Sequence, residues 1–487
     1  MEIKKRSLKY NYILSVVINL ASFIFPMITY PYVTRVLGAT GIGKVSFAET
    51  VASYFVLFTT LGIPTYGIRA CAAVRDDKYE LSKVTKELLT ISLIMMMISV
   101  SSFLILIFFL PQFSLRRELL LINCITIIFT PFGVNWFFSA IENFTYITVR
   151  TLMVKSITLV VTFLIVRNID DYYLYALILV VSTVGSYVFN FIYMNKFVSL
   201  RNVSNMNLKR HMKPVLILFA TTAAATVYSN VDVTMLGIIT GDTQVGIYNV
   251  AHKLRLVILS LVSTAGTVLM PRLSYYIKNN KKEEFDVLIT KTIKFICFLA
   301  ISLMMFFFTT AKESVLLIAG SGYEDSILVF MCILPTIVFC AFSNMTGLQI
   351  LVPLERENIL LRSLVLGAVV DVILNVIFIS SFKAVGVAAA TAVAELSVLC
   401  YQIYYLRKHQ YLKIHELKII KTIIFNLVAF VVTSFVGMVM HDVNVFISFV
   451  VKGTVFWGIY LGLLIVFKDE FVLSIISPII NRIRGKV

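Results

Sequence analysis

Three basic side chains, His252, Lys253 and Arg255, interrupt the apolar run "YNVAHKLRLVILSL" (248–261). Residues of this kind hold anions: Arg grips a phosphate or carboxylate with a two-pronged fork, and Lys meets it as a point charge. Other ionisable residues stand in apolar runs as well: Arg35, Glu49, Asp232, Asp371 (with Asn375 one turn on) and Glu395. Charge inside such a run is costly unless it faces a partner, a watery cavity or a ligand. The chemistry on offer is therefore anion binding, proton coupling or simple ion pairing.

Spacing narrows the choice. Asp232 and Lys253 flank a turn near 240–244, and at ~1.5 Å per residue both lie roughly 12–14 Å from it. A pair between them is geometrically easy. His252 and Arg255, three apart, share a helical face, while Lys253 points about 100° away from His252. The helix can spend Lys253 on Asp232 and offer His252 and Arg255 to a cavity, or spend Arg255 and offer Lys253. Arg35 and Glu49 flank an equivalent turn with the sign order reversed. Asp371 and Glu395 lie about equally far from a turn near 382–385. Two carboxylates at one depth cannot both ionise cheaply if they are close, which suits proton coupling; a hydrogen-bonded acid pair reads the same way.

These residues must be positioned by membrane-spanning helices. Of 487 residues, 59% are hydrophobic and only 14% charged, and the mean hydropathy is +0.91. That is more apolar surface than a soluble fold can bury. Fourteen continuous apolar runs of about 20 residues extend from 10–34 to 445–467. Because they do not alternate in polarity, helices are expected rather than a barrel. The N-terminal run is too long for a signal peptide and lacks a small-x-small cleavage site, so it reads as a retained first helix. The six cysteines form no CxxC or Cys/His spacing and read as buried packing residues.

The net charge of +17 is topological. With fourteen spans and the N-terminus inside, most Lys and Arg fall in inner loops and tails, so both termini are expected to be cytoplasmic. A nucleic-acid partner is excluded on the same ground.

A shift of about 200 residues exposes a repeat. "VTRVLGATGIGKVSFAETVASYF" (33–55) resembles "VTMLGIITGDTQVGIYNVAHKLRL" (233–256), placing Gly43 over Gly246, Ala48 over Ala251 and Glu49 over His252. A second match sets "ENFTYITVR" (142–150) against "ERENILLR" (355–362). Copies six spans apart run in the same direction. The expectation is two parallel six-helix bundles around a central cavity, 1–195 and 214–406, joined by a cytoplasmic linker, 196–213. Residues 407–487 add two more spans and a cytoplasmic tail.

Other candidates are weaker. Arg69 reads as a snorkelling anchor at a span end, and the acids of "NIDDYY" as solvated turn residues. No P-loop, GxSxG or HExxH motif appears, so no enzymatic activity, cofactor or metal is expected. A proton or sodium gradient is the candidate driving force.

The segments "YPYVTRVLGATGIGKVSFAETVASYF", "TLGIPTYGIRACAAVRDD", "NWFFSAIENFTYITVRTLMVKSI", "NVDVTMLGIITGDTQVGIYNVAHKLR" and "VLMPRLSYY" carry a resemblance over most of spans 1 to 8. Together they resemble the Wzx-type flippases for lipid-linked polysaccharide repeat units, within the multidrug/oligosaccharidyl-lipid/polysaccharide exporter superfamily. The resemblance implies a bacterial cytoplasmic-membrane carrier of undecaprenyl-diphosphate-linked oligosaccharide. It would move its cargo from inner to outer leaflet for O-antigen, capsule or exopolysaccharide synthesis, by alternating access of two bundles. It also implies a cationic cavity, with Arg35, Lys253 and Arg255 in matching segments and His252 beside them. Membrane lipids, a polysaccharide polymerase and glycosyltransferases are the implied partners. A diphosphate in a low-dielectric cavity needs such cations. The rivals are an organic-cation or drug antiporter of the same fold, which would want the acids, and a polymerase or ligase, which would want a large outer loop.

Overall fold

The computed structural model describes residues 8–201, 203–279, 281–409, 411, 419–440 and 443–469. The expected cytoplasmic tail beyond 469 lies outside them. No strand occurs among the described residues, and the helices follow the apolar runs. Among the described residues, twelve helical segments are long and apolar enough to cross a membrane. Two of these are bent pairs: Leu8–Thr60 turns at Gly38 and Glu357–Lys408 turns at Lys383. Counted separately, their limbs give the fourteen crossings. The chain is a multi-pass helical membrane protein.

Two compact units divide it, Met1–Gly246 and Ile247–Val487. The first holds α1 (Leu8–Thr60), α2 (Ile63–Ala73), α3 (Lys78–Phe109), α4 (Arg117–Phe129), α5 (Asn135–Ala140), α6 (Phe144–Ile165), α7 (Tyr172–Met194) and α8 (Lys209–Ile239). Helix α9 (Asp242–Lys278) starts in the first unit and continues into the second. The second unit adds α10 (Lys282–Ile296), α11 (Ser302–Thr309), α12 (Ala311–Ala319), α13 (Asp325–Ile333), α14 (Pro335–Asn344), α15 (Glu357–Lys408), α16 (Ile419–Val439) and α17 (Val445–Val466).

Local chemistry sets the helix ends. The Asp77 carboxylate caps α3 by accepting from the Tyr79 and Glu80 amides at 2.8 and 3.1 Å. Asn143 caps α6 and Asn444 caps α17 in the same way. Inside α1, Pro26 and Pro31 remove backbone donors, and Arg35 Nη1 donates to the Pro31 carbonyl at 2.6 Å.

The repeat is written into the backbone. Gly38 (φ 64°) and Gly241 (φ 91°) occupy equivalent turns, both left-handed. Glu142 (φ 57°) and Glu355 (φ 58°) do the same one residue before the N-caps of α6 and α15. A left-handed conformation is uncommon for a side-chain-bearing residue, so its recurrence at matched positions marks a shared turn design rather than chance. The sequence repeat therefore has a counterpart in the backbone.

The first unit centres on an aromatic core around Trp136, Phe137 and Phe138, packed against α2, α3 and the end of α7. In the second, Phe306, Phe425, Phe456 and Tyr460 join α11 to α16 and α17. The last helix, α17, is anchored to α12 by charge as well: Lys452 Nζ reaches Glu313 Oε1 at 2.5 Å, and Ser448 Oγ donates to the same oxygen at 2.9 Å.

Candidate functional site

In the second unit, α9 carries its basic cluster into a polar cage. Arg255 is only 6% exposed. Its Nε donates to Thr336 Oγ1 at 2.6 Å; its Nη2 donates to Cys340 Sγ at 2.9 Å and to Glu395 Oε1 at 3.2 Å. Thr336 and Cys340 lie one turn apart on α14, and Glu395 lies on the second limb of α15. One guanidinium thus ties three helices, and the carboxylate supplies its counter-charge. A buried pair of this kind roughly balances desolvation against attraction, and removing one partner strands the other. Spacing alone gave no reason to join Arg255 to Glu395.

The neighbours of Arg255 have different surroundings. His252 is half-buried with its ring centroid 5.5 Å from that of Tyr248. Its Nδ1 is buried with no hydrogen-bond partner, and so is Nδ2 of Asn249, three residues earlier on the same face. Polar atoms left so are unusual and mark a place for water or ligand. Lys253 is half-buried. Asp371 and Asn375, one turn apart on the first limb of α15, are 1% and 0% exposed. Glu395, the other expected coupling carboxylate, is the one committed to Arg255.

In the first unit, Asp232 is 4% exposed on α8. Its expected pair with Lys253 joins residues of two units and remains a proposal. Arg35 and Glu49 are exposed on the two limbs of α1. On a membrane-crossing helix, exposed charge must look onto water rather than acyl chains.

The same unit contains a seam that the repeat makes intelligible. A Cβ on Gly43 would fall 1.8 Å from the Asp242 carbonyl oxygen, and one on Gly246 would fall 1.9 Å from that of Ala39. With Gly43 over Gly246, Ala39 stands over Asp242 and Thr40 over Thr243. The two repeats therefore meet through a local two-fold relation, backbone on backbone, where only glycine fits. On that axis Thr40 Oγ1 and Thr243 Oγ1 are 2.9 Å apart. Arg116 latches the seam: Nε donates to Asp242 Oδ1 at 2.7 Å, Nη2 to the Gly237 carbonyl at 2.8 Å, and the guanidinium lies 4.0 Å over the Phe47 ring. Further along, Tyr54 meets Thr234 at 3.1 Å and Asn230 meets Ser53 at 3.0 Å, zipping α1 to α8.

A second polar cluster, unmarked by any motif, holds the segment before α8. Glu87, fully buried on α3, accepts from the Asn207 amide at 2.6 Å, Arg210 Nη2 at 2.5 Å and His211 Nε2 at 2.8 Å. His211 Nδ1 is 2.9 Å from the Tyr66 hydroxyl. No group of three or more His, Cys, Asp or Glu side chains able to hold a metal occurs among the described residues.

Comparison with known proteins places this geometry. The profile described as "Polysaccharide biosynthesis protein" matches residues 8–277. The "Putative O-antigen transporter" of Escherichia coli (strain K12) is 20% identical over 414 residues, spanning 85% of this chain and 100% of that protein. A protein of the same name from Shigella dysenteriae is 23% identical over 402 residues, covering 81% and 99%. Among solved structures, the lipid II flippase MurJ in an inward closed conformation superposes with a TM-score of 0.73 at 14% identity, covering 95% of this chain and 100% of that one. An inward-facing multidrug resistance transporter of the MATE family gives 0.63 at 15% identity, covering 80% and 95%. The structural likenesses concern the fold.

Proposed function

The chain belongs to the polysaccharide biosynthesis protein family, and from that premise we propose that it is a flippase for undecaprenyl-diphosphate-linked oligosaccharide. It carries repeat units from the inner to the outer leaflet of the bacterial cytoplasmic membrane for surface polysaccharide synthesis. The observation that carries the reading is the match, over 85% and 81% of this chain, to two relatives named as O-antigen transporters. Its chemistry agrees. A diphosphate crossing a low-dielectric region needs cations to meet it. Arg255, tied to Glu395, is assigned to holding α9, α14 and α15 in register, and the half-buried Lys253 and the exposed Arg35 are each assigned to meeting the diphosphate. The unsatisfied nitrogens of His252 and Asn249 suit sugar hydroxyls or water. Both termini lie in the cytoplasm, which puts the Gly43–Gly246 seam on the outer side as a closure that opens to release cargo. Asp371, with Asn375 beside it, remains the carboxylate for coupling to a proton or sodium gradient. A downstream polymerase takes the delivered units.

The test is deletion and complementation in the source cell. Loss of the chain should abolish surface polysaccharide while lipid-linked repeat units accumulate facing the cytoplasm, and the wild-type chain should reverse both effects. Normal polymer in the deletion strain, with no second flippase present, would refute the reading.

A further inference from the structure

Helix α6 carries a cation at its centre that nothing among the described residues answers. Lys155 lies eleven residues from Phe144 and ten from Ile165, about 16 Å from either end of α6. It is half-buried, and among the described residues it makes no hydrogen bond, ion pair or ring contact.

Its direction is set by the rest of the helix. Val149, Met153, Ile157, Val160 and Leu164 are each more than half exposed and form one apolar stripe, the lipid face. At ~100° per residue, Lys155 points roughly 160° away from the middle of that stripe. It shares its side with Thr151, Thr158 and Thr162, all within about 60° of it. Thr158 Oγ1 donates to Ser182 Oγ of α7 at 2.6 Å, and Thr162 is fully buried. Lys155 therefore faces the interior of the first unit, not lipid.

Five residues earlier, Arg150 repeats the imbalance. Its Nη1 donates to the side-chain oxygens of Asn135 (2.9 Å) and Asn190, its Nη2 to Thr151 Oγ1 at 3.3 Å, and it lies 5.9 Å over the Tyr146 ring. No carboxylate pairs with it among the described residues, and its Nε is buried without an acceptor. Asparagine oxygens are dipoles, not counter-charges. Two cations about 7.5 Å apart along one membrane-crossing helix and about 140° apart around it, neither matched by an acid among the described residues, leave an excess of positive charge that an anion would balance.

We propose that Lys155, with Arg150 toward the inner end of α6, is a phosphate-binding track of the first unit, taking the diphosphate of the lipid-linked cargo on its passage. This rests on the flippase reading. The ammonium at mid-membrane receives the anion after the guanidinium near the interface has met it, so the charged group is accompanied through the part of the bilayer where it is costliest.

The test uses the purified full chain in phosphatidylcholine nanodiscs, titrated with undecaprenyl diphosphate and, separately, undecaprenol. Wild type should prefer the diphosphate. Lys155→Ala should weaken its binding by at least ~10-fold, the scale of a lost charge-assisted hydrogen bond, while Lys155→Arg stays near wild type. Because no acid among the described residues compensates the charge, Lys155→Ala and Lys155→Met should melt at or above the wild-type temperature. Diphosphate binding by Lys155→Ala within twofold of a discriminating wild type overturns the track and leaves the flippase reading intact. A wild type that does not prefer diphosphate over alcohol overturns the flippase reading and the track with it. Displacement of the diphosphate, mole for mole, by phosphatidylglycerol would assign the site to bilayer headgroups and overturn the cargo assignment.

Discussion

Arg255→Ala should cost the purified protein about 3–5 kcal/mol of stability, seen as a lowered melting temperature, because it leaves the Glu395 carboxylate without its cation. The Glu395 side chain is only 12% exposed and cannot recover that loss from water. Glu395→Ala should hurt comparably by stranding the guanidinium. The double variant should melt closer to wild type than either single one, since two partners removed together leave no orphaned charge. The same cycle separates structure from substrate contact. If Arg255 serves the helix junction, transport in the double variant recovers along with stability. Lys253→Ala, in contrast, should abolish surface polysaccharide while the protein stays in the membrane. A stable, fully folded Arg255→Ala protein would break the junction assignment.

The second large effect is expected at the seam. Gly43→Ala places a methyl 1.8 Å from the Asp242 carbonyl oxygen, and Gly246→Ala places one 1.9 Å from that of Ala39. Backbone cannot yield as a flexible side chain can, and overpacking by a single methyl ordinarily costs ~1–3 kcal/mol even where neighbours adjust. The closed seam should therefore be excluded in both variants. In the proposed alternating-access cycle a lost closure blocks completion, and surface polysaccharide should fall about tenfold, roughly what such a cost does to a required state. Gly185→Ala and Gly458→Ala, where nothing lies within 4 Å of the added methyl, are the matched controls. The local two-fold relation makes the prediction strict, since both glycines should behave alike. Wild-type polymer in Gly43→Ala would remove the seam from the mechanism.

Much of the fold was legible because the bilayer simplifies it. Long apolar runs have one solution, and the limbs bent at Gly38 and Lys383 fall where the runs were divided. The repeat was legible at Gly43 and Gly246, but nothing in the letters said that the two copies touch each other. Contacts between distant segments were the harder part. Arg255 and Glu395 are 140 positions apart, and Asp371 looked the more natural companion for that glutamate because both flank one turn. Glu87 was hidden at a span end, where a carboxylate ordinarily meets water; only the fold brings Arg210 and His211 onto it. Lys155 was missed through a boundary. Apolarity begins the span near 151, which makes the lysine a terminal residue, but the Asn143 cap starts the helix at Phe144 and moves it to the centre. Capping chemistry was the available signal.

The most direct measurement is translocation by the chain alone. Purified protein is reconstituted into liposomes containing a fluorescent undecaprenyl-diphosphate oligosaccharide, and an impermeant quencher reports how much label lies on the outside. With the wild-type chain and an imposed proton or sodium gradient, label should move across the bilayer faster than in protein-free vesicles. Lys253→Ala should run at the protein-free rate. Transfer no faster than in empty liposomes under either gradient, from protein shown to be folded, would contradict the proposed function.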